Sequence, residues 1–171
     1  PELYSENQWP SYYKKSKGCY LWDLNNKKFL DMLFLVGTNT LGYTNKVVDK
    51  QILKSISKGN MSSLNSPEEV ELARLLIKIH PWANQVRFTR GGGEANSAIV
   101  RIARASTKKQ NIAFCGYHGW HDWYLSSNLN NKKNLDNHLM SNLKYAGVSK
   151  SLRNSTFPFM YNDLDGLNRL I

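Results

Sequence analysis

The strongest constraint on the fold of this 171-residue chain is a strand, a glycine turn, a helix and a second strand in direct succession. The pattern predicts strands over residues 85–89 and 111–115, with a helix over 94–106 between them. The turn before the helix is Gly91-Gly92-Gly93. We expect five apolar helix residues to face inward: Ala95, Ala98, Ile99, Ile102 and Ala103. This order implies an α/β fold with a parallel sheet and a right-handed crossover.

The region before this unit predicts a small antiparallel element and two helices. Residues 20–24 and 27–32 alternate apolar and polar side chains around Asn25-Asn26, a pattern typical of a β-hairpin. Helical spacing over residues 46–58 ends at Gly59, a residue suited to the position after a helix. Ser66 and Pro67 are typical of a helix start, and that helix is expected to run to about residue 80.

Two domains are expected from this organisation. Residues 1–60 would form an N-terminal segment with the hairpin and one helix, and residues 61–171 would form the first part of a larger domain. A third strand is expected at 155–161, whereas the polar stretch from 117 to 154 carries no clear pattern.

The counts of charged residues and of cysteines indicate which binding partners and which cellular compartment to expect. Lys and Arg number 23 against 13 Asp and Glu, but the basic residues occur as scattered pairs, which is typical of solvated loops rather than a nucleic-acid surface. The apolar stretch at 30–37 is too short to cross a bilayer. Cys19 and Cys115 are the only cysteines. We therefore expect a soluble, cytoplasmic protein that binds neither nucleic acid nor membrane.

The three glycines lie where a strand leads into a helix, which is a favourable place for an anion. Unpaired N–H groups and the positive end of the helix dipole would both point at a phosphate there. Two common phosphate loops are excluded, because no Gly-Lys-Ser/Thr follows and Asn96 occupies the third-glycine position of the dinucleotide fingerprint. A turn that only permits tight packing is the alternative interpretation.

Aromatic and imidazole side chains follow the second strand, at the sheet edge where α/β proteins bind ligands. The segment includes Tyr117, His118, Trp120 and His121. An aromatic face beside a phosphate site suits a flat phosphorylated ring. Among the neighbouring residues, Trp123 and Tyr124 are expected instead to belong to the core.

Two other kinds of site are disfavoured. Cys115, His118 and His121 are three residues apart, but Gly116 and Gly119 interrupt any helix that would align them as zinc ligands. No metal site is therefore expected. A Cys115–His118 nucleophile pair is also disfavoured, because no residue that would orient the imidazole can be named.

Several motifs, taken together, resemble the class III (subgroup II) pyridoxal 5'-phosphate (PLP)-dependent aminotransferases, and in particular their glutamate-1-semialdehyde 2,1-aminomutase-like branch. The resemblance rests on residues 88–96, 99–105 and 116–121, and on residues 20–31 and 41–43 in the N-terminal part. It implies the PLP-dependent transferase fold type I, with a small N-terminal antiparallel segment and the first half of the large, mainly parallel sheet domain.

The resemblance also implies roles for individual residues. The N–H groups of Gly92 and Gly93 would hold the cofactor phosphate, and Tyr117 would stack on the pyridine ring. Gly91 and His118 complete the expected cofactor-binding set. No catalytic residue is expected in this chain, because the Schiff-base lysine and the acid that pairs with the pyridine nitrogen would belong to an absent second half.

This chain departs from the family at the glycine turn and in length. The family commonly has Ser-Gly-Thr where this chain has Gly91-Gly92-Gly93, so two hydroxyls that could bond phosphate are missing. Arg90 is a candidate to compensate. Residues 36–39 also lack the aromatic character of the aminomutase pocket, which counts against aminomutase activity as such.

The resulting functional expectation is the N-terminal part of a homodimeric enzyme that transfers an amino group between an amino donor and a carbonyl compound. The 171 residues alone are expected to be inactive. Two alternatives remain from the sequence. One is a non-catalytic fragment or pseudoenzyme used for assembly, and the other is a basic polyanion-binding module, which would bind oligonucleotides with a steep salt dependence.

Overall fold

The structure is a computed structural model, and it describes residues 10–59 and 61–171. The contacts divide the chain into two units, the first ending at Arg74 and the second running from Leu75 to Ile171. No helix within the described ranges is long and apolar enough to cross a membrane.

The first unit contains a three-stranded antiparallel sheet of β1 (Tyr13–Lys17), β2 (Tyr20–Asp23) and β3 (Lys28–Leu30). Strands β2 and β3 form the predicted hairpin, and Asn26 in its turn adopts φ 64°. No strand is predicted at β1 from the sequence, because its three lysines are poor strand formers. Pairing with β2 holds it in place.

Three helical segments follow in the first unit and its boundary. The short α1 (Phe34–Gly37) contains left-handed φ and ψ at Leu35 and Val36. The two longer helices, α2 (Lys46–Ser57) and α3 (Pro67–Ile79), confirm the predicted pair. The side chain of Asn45 accepts hydrogen bonds from the first turn of α2, and Gly59 after it has φ 88°. Both ends of α2 therefore use ordinary capping chemistry.

The buried carboxylate of Asp31 links the start of α1 to Tyr43, which follows that helix in the sequence. Asp31 is 4% exposed and accepts from the amides of Leu33 and Phe34 and from the Tyr43 hydroxyl. The Tyr43 hydrogen bond is the main cause that lowers the pKa of Asp31, and the same bond raises the pKa of Tyr43. The charged form of Asp31 is thus stabilised by the native fold.

The second unit is built on α4 (Gly92–Thr107) and on two parallel strands, β4 (Ile112–Cys115) and β5 (Thr156–Phe159). Between the strands lie α5 (Asp122–Leu125) and two short 3-10 turns, Ser126–Leu129 and Lys150–Leu152. After β5 the chain forms α6 (Leu164–Asn168). The parallel pairing of β4 with β5 confirms the predicted second and third strands.

The predicted strand over residues 85–89 is wrong. These residues form no strand, because a strand requires a hydrogen-bonded neighbour and, in the described part of the chain, β4 pairs with β5 alone. Both strands of the parallel sheet therefore follow α4 in the sequence. The strand predicted before α4 is absent from the described residues.

The predicted inward face of α4 is also partly wrong. Ile99 and Ile102 are 60% and 59% exposed, whereas Val100 is buried. The three predicted alanines, Ala95, Ala98 and Ala103, are only half-buried. Val100 is the residue of α4 that packs into the aromatic core of the second unit.

That core comes largely from the stretch that carried no clear pattern. It comprises Val100, Phe114, Trp123, Tyr124, Leu125, Leu135 and Val148. Trp123 and Tyr124 are buried, as expected. Buried polar residues accompany them: Asn128 bonds both the Leu143 carbonyl and the Leu135 amide. Polar residues that satisfy buried backbone groups leave no apolar periodicity for a sequence pattern to show.

Candidate functional site

The first turn of α4 presents main-chain N–H groups that have no partner. Gly91 is the extended residue before the helix, with φ −163° and ψ 163°, and its carbonyl accepts the first helical bond from Ala95. Within the described ranges, the amides of Gly92, Gly93 and Glu94 donate to no acceptor. Such free donors at the positive end of a 16-residue helix favour an anion.

Glu94 fixes the approach to this helix without occupying its amides. Its Oε2 accepts from the main-chain N–H of Arg90 at 2.9 Å. The Arg90 side chain is exposed and makes no hydrogen bond or ion pair with any residue that the structure describes. The idea that Arg90 compensates for the missing hydroxyls therefore remains a prediction.

The three glycines differ in the space beside them. A Cβ built on Gly91 or Gly92 would meet no atom within 4 Å, so their surroundings are open. A Cβ on Gly93 would lie 2.7 Å from both Cδ2 and Nε2 of His121, a distance too short for real atoms. Gly93 is therefore confined by a side chain, whereas its two neighbours are not.

The loop after β4 bends through two glycines with left-handed φ. Gly116 and Gly119 both have φ 90°, which favours glycine. The Gly116 amide donates to Nδ1 of His138 at 3.1 Å, so that nitrogen carries no proton. Burial lowers the pKa of His138, which favours the same neutral form.

This loop and the glycine turn are brought together. A Cβ on Gly119 would lie 4.0 Å from the Cα of Gly93, and Nδ1 of His121 is 2.8 Å from Oγ of Ser97 on α4. The two motifs that the sequence singled out thus lie side by side. The sequence places His121 at the ligand-binding edge and within the 116–121 motif, but it does not predict a contact with α4. The contact of His121 with Ser97 joins residues 24 positions apart, which no local spacing rule reveals.

Tyr117 and His118 lie on the same loop but in different surroundings. The Tyr117 side chain is 37% exposed, and its ring meets Tyr124 edge-on at 5.9 Å. The His118 ring packs against Phe114 and Trp123, and its Nε2 is 2.8 Å from the Cys115 carbonyl oxygen. Tyr117 is available to a ligand, whereas His118 is held by the core and by main chain.

Tyr124 supports Tyr117 from the interior. It is fully buried, and burial, followed by the nearby Tyr117 phenol, raises its pKa to about 12. The Tyr124 hydroxyl has no hydrogen-bond partner in the described part of the chain. The ring of Tyr124 is therefore a neutral, rigid support for Tyr117.

One ring nitrogen of each of these imidazoles contacts a protein atom, and the two contacts do not share a centre. His118 faces the Cys115 carbonyl and His121 faces Ser97. Among the described residues, no group of three or more His, Cys, Asp or Glu side chains is placed to hold a metal ion. An open cleft of about 490 Å³ lies beside His121, and Trp120, 73% exposed, forms part of its wall.

Comparison with known proteins gives consistent matches across the chain. The family described as aminotransferase class-III matches residues 4–156. The glutamate-1-semialdehyde 2,1-aminomutase of Sulfolobus acidocaldarius is 33% identical over 95% of this chain, and the 3-aminobutyryl-CoA aminotransferase of Cloacimonas acidaminovorans is 26% identical over all of it. These matches confirm the resemblance that the motifs carried.

Solved structures of similar proteins agree with the expected fold. An omega-transaminase from Sphaerobacter thermophilus superposes on 99% of this chain with a TM-score of 0.83 and 26% identity. A transaminase with PLP bound covers 98% with a TM-score of 0.82 and 26% identity. This chain spans 38% of the Sulfolobus relative and 39% of the Sphaerobacter structure.

Proposed function

This chain belongs to the class-III aminotransferase family, and we propose that it forms the N-terminal part of a longer PLP-dependent enzyme that transfers an amino group between a small amino donor and a carbonyl compound. The fold is that of the PLP-dependent transferases, type I. The whole protein's reaction is the proposal, because the chain covers 38% of the Sulfolobus acidocaldarius aminomutase.

The glycine turn fits the phosphate of this cofactor. Three main-chain donors are free at the start of α4, and the space beside Gly91 and Gly92 is open. Gly92 and Gly93 would donate their N–H groups to phosphate oxygens, and Gly91 would let the main chain approach the anion closely. These free amides are the single observation that carries the proposal.

Tyr117 fits the role of the ring that contacts the cofactor's pyridine. It is partly exposed, and the buried Tyr124 ring supports it. His118 would act as a positioning residue, since its hydrogen bond to the Cys115 carbonyl holds the start of the loop that carries Tyr117. When bound, PLP supplies an electron sink for amino-group transfer.

The remaining catalytic groups of the proposed enzyme would come from other parts of the full-length protein. We place the lysine that attaches the cofactor, and the acid that pairs with its ring nitrogen, outside these 171 residues. A homodimer and a cytoplasmic location complete the proposal. Cys19 and Cys115 are free thiols, which supports a reducing compartment.

The sharpest test removes one amide and leaves the helix intact. Gly92 is the first residue of α4, where proline is well tolerated, and Gly91 before it is extended as proline requires. Gly92→Pro therefore deletes a single N–H donor. Gly92→Ala is the matched control, because it keeps the N–H and its Cβ meets open space.

We expect Gly92→Pro in the full-length protein to weaken PLP binding by about 1.5–3 kcal/mol, or roughly ten- to hundredfold in Kd. Gly92→Ala should bind as the wild type does. Kd is measured by equilibrium dialysis against PLP and against pyridoxal, which lacks the phosphate. Equal affinity of the wild type for the two compounds would overturn the proposed phosphate site.

A further inference from the structure

The imidazole of His121 occupies the space that a side chain at position 93 would need. Both Cδ2 and Nε2 of His121 lie 2.7 Å from an ideal Cβ on Gly93. Apart from adjacent residues and the backbone of α4 itself, no protein atom lies within 4 Å of the corresponding positions on Gly91 and Gly92. The His121 ring therefore fills the side-chain space beside Gly93 but not the space beside Gly91 or Gly92.

Ser97 sets the orientation of this ring. Its Oγ lies 2.8 Å from Nδ1 of His121 and comes from the second turn of the same helix. With the Ser97 hydroxyl donating to Nδ1, the neutral imidazole carries its proton on Nε2. Nε2, the nitrogen beside Gly93, is then a hydrogen-bond donor, and the bond between Nδ1 and Ser97 holds the ring at the first turn of α4.

We propose that His121 is an additional phosphate-binding residue, whose Nε2 supplies the donor that a hydroxyl side chain at position 93 would otherwise give. The inference rests on the proposed function, because it concerns the phosphate of the cofactor assigned there. Ser97 is the positioning residue that orients the imidazole. Gly93 is required because any larger residue would displace the ring.

Two substitutions at His121 test the contributions of its two ring nitrogens individually. His121→Gln places an amide nitrogen near the position of Nε2, and His121→Asn places polar atoms near Nδ1. We expect His121→Gln to retain most of the affinity for PLP. His121→Asn and His121→Ala should weaken it by about tenfold or more, as expected for a lost hydrogen bond to a charged group. Affinity for pyridoxal, which has no phosphate, should be the same in all variants.

A paired exchange tests the spatial claim independently. Gly93→Ser alone should weaken PLP binding, because its Cβ would collide with the His121 ring. Combined with His121→Ala, the same serine gains room and restores a hydroxyl at position 93. The double variant should then bind PLP more tightly than either single variant. Gly91→Ser is the control, since its side chain meets no protein atom nearby.

The experiment uses the full-length protein and dialysis against PLP and pyridoxal. A wild type with no preference for PLP over pyridoxal would reject the proposed function itself. A wild type with that preference, unchanged in His121→Ala, would reject only the role of His121. If His121→Ala fails to fold, the Gln and Asn variants still decide: equal PLP affinities in those two would overturn the inference.

Discussion

Replacing Tyr43 by phenylalanine removes one hydroxyl from a buried charged site and leaves the ring in place. The hydroxyl donates to Oδ2 of Asp31, and the Tyr43 ring stacks on Phe34 with centroids 6.4 Å apart. Phenylalanine keeps that stacking. Asp31 retains the two amide donors from Leu33 and Phe34 but loses the partner that most lowers its pKa.

A hydrogen bond to a buried charged group contributes about 1.5–3 kcal/mol to stability, so Tyr43→Phe should lower the free energy of unfolding by that amount at pH 7. The pKa of Asp31 is lowered by folding, so its contribution is present above its ordinary value of 3.8 and is lost as pH falls through the folded value. Wild type and variant should therefore converge in acid.

The Tyr43 side of the pair gives a second boundary. The pKa of Tyr43 is raised by the Asp31 hydrogen bond, so its contribution is complete below its ordinary value of 10.0 and is lost at still higher pH. The difference between wild type and Tyr43→Phe should thus form a plateau from about pH 5 to 9.

The assay is urea unfolding of the full-length protein, followed by circular dichroism at a series of pH values. Tyr12→Phe is the matched control, since Tyr12 is exposed and its hydroxyl makes no hydrogen bond within the described residues. The control should change stability by less than about 0.5 kcal/mol. A Tyr43→Phe difference that is no larger, or that persists unchanged in acid, would refute the reasoning.

Three further substitutions test other parts of the fold by the same unfolding assay. Asn45→Ala should cost about 1 kcal/mol, because Asn45 Oδ1 accepts from Val47 and caps α2; an unchanged midpoint would contradict the capping role. Tyr124→Phe should leave the free energy of unfolding unchanged or raise it by about 1 kcal/mol, because the buried Tyr124 hydroxyl has no hydrogen-bond partner among the described residues. A marked loss of stability would show that this hydroxyl has a partner in the full-length protein. Thr156→Val should cost about 1 kcal/mol, because it removes a buried hydroxyl that bonds both Ser126 and Ser127; an unchanged free energy of unfolding would contradict a stabilising role for these bonds.

Local sequence signals predicted the elements that depend on local chemistry. The Asn25-Asn26 turn, the Gly59 helix end and the Pro67 helix start each act within a few residues, and the structure has each of them. The glycine turn and the aromatic loop were also expected at one edge, and the approach of Gly119 to Gly93 confirms that they are adjacent.

The predictions from sequence are less accurate where contacts between residues far apart in the chain determine the structure. Residues 85–89 have a strand-like composition but lack a described neighbour to pair with, and on α4 it is Val100, not Ile99, that meets the core of the second unit. The role of His121 depends on Ser97 and Gly93, both more than 20 positions away. Periodicity within one element cannot reveal such contacts.

The measurement that tests the central claim most directly is a crystal structure of the full-length protein grown with PLP. We predict phosphate oxygens within hydrogen-bond distance of the Gly92 and Gly93 amides, with the Tyr117 ring against the face of the pyridine. A phosphate bound elsewhere, with the first-turn amides of α4 facing water or protein, would contradict the account.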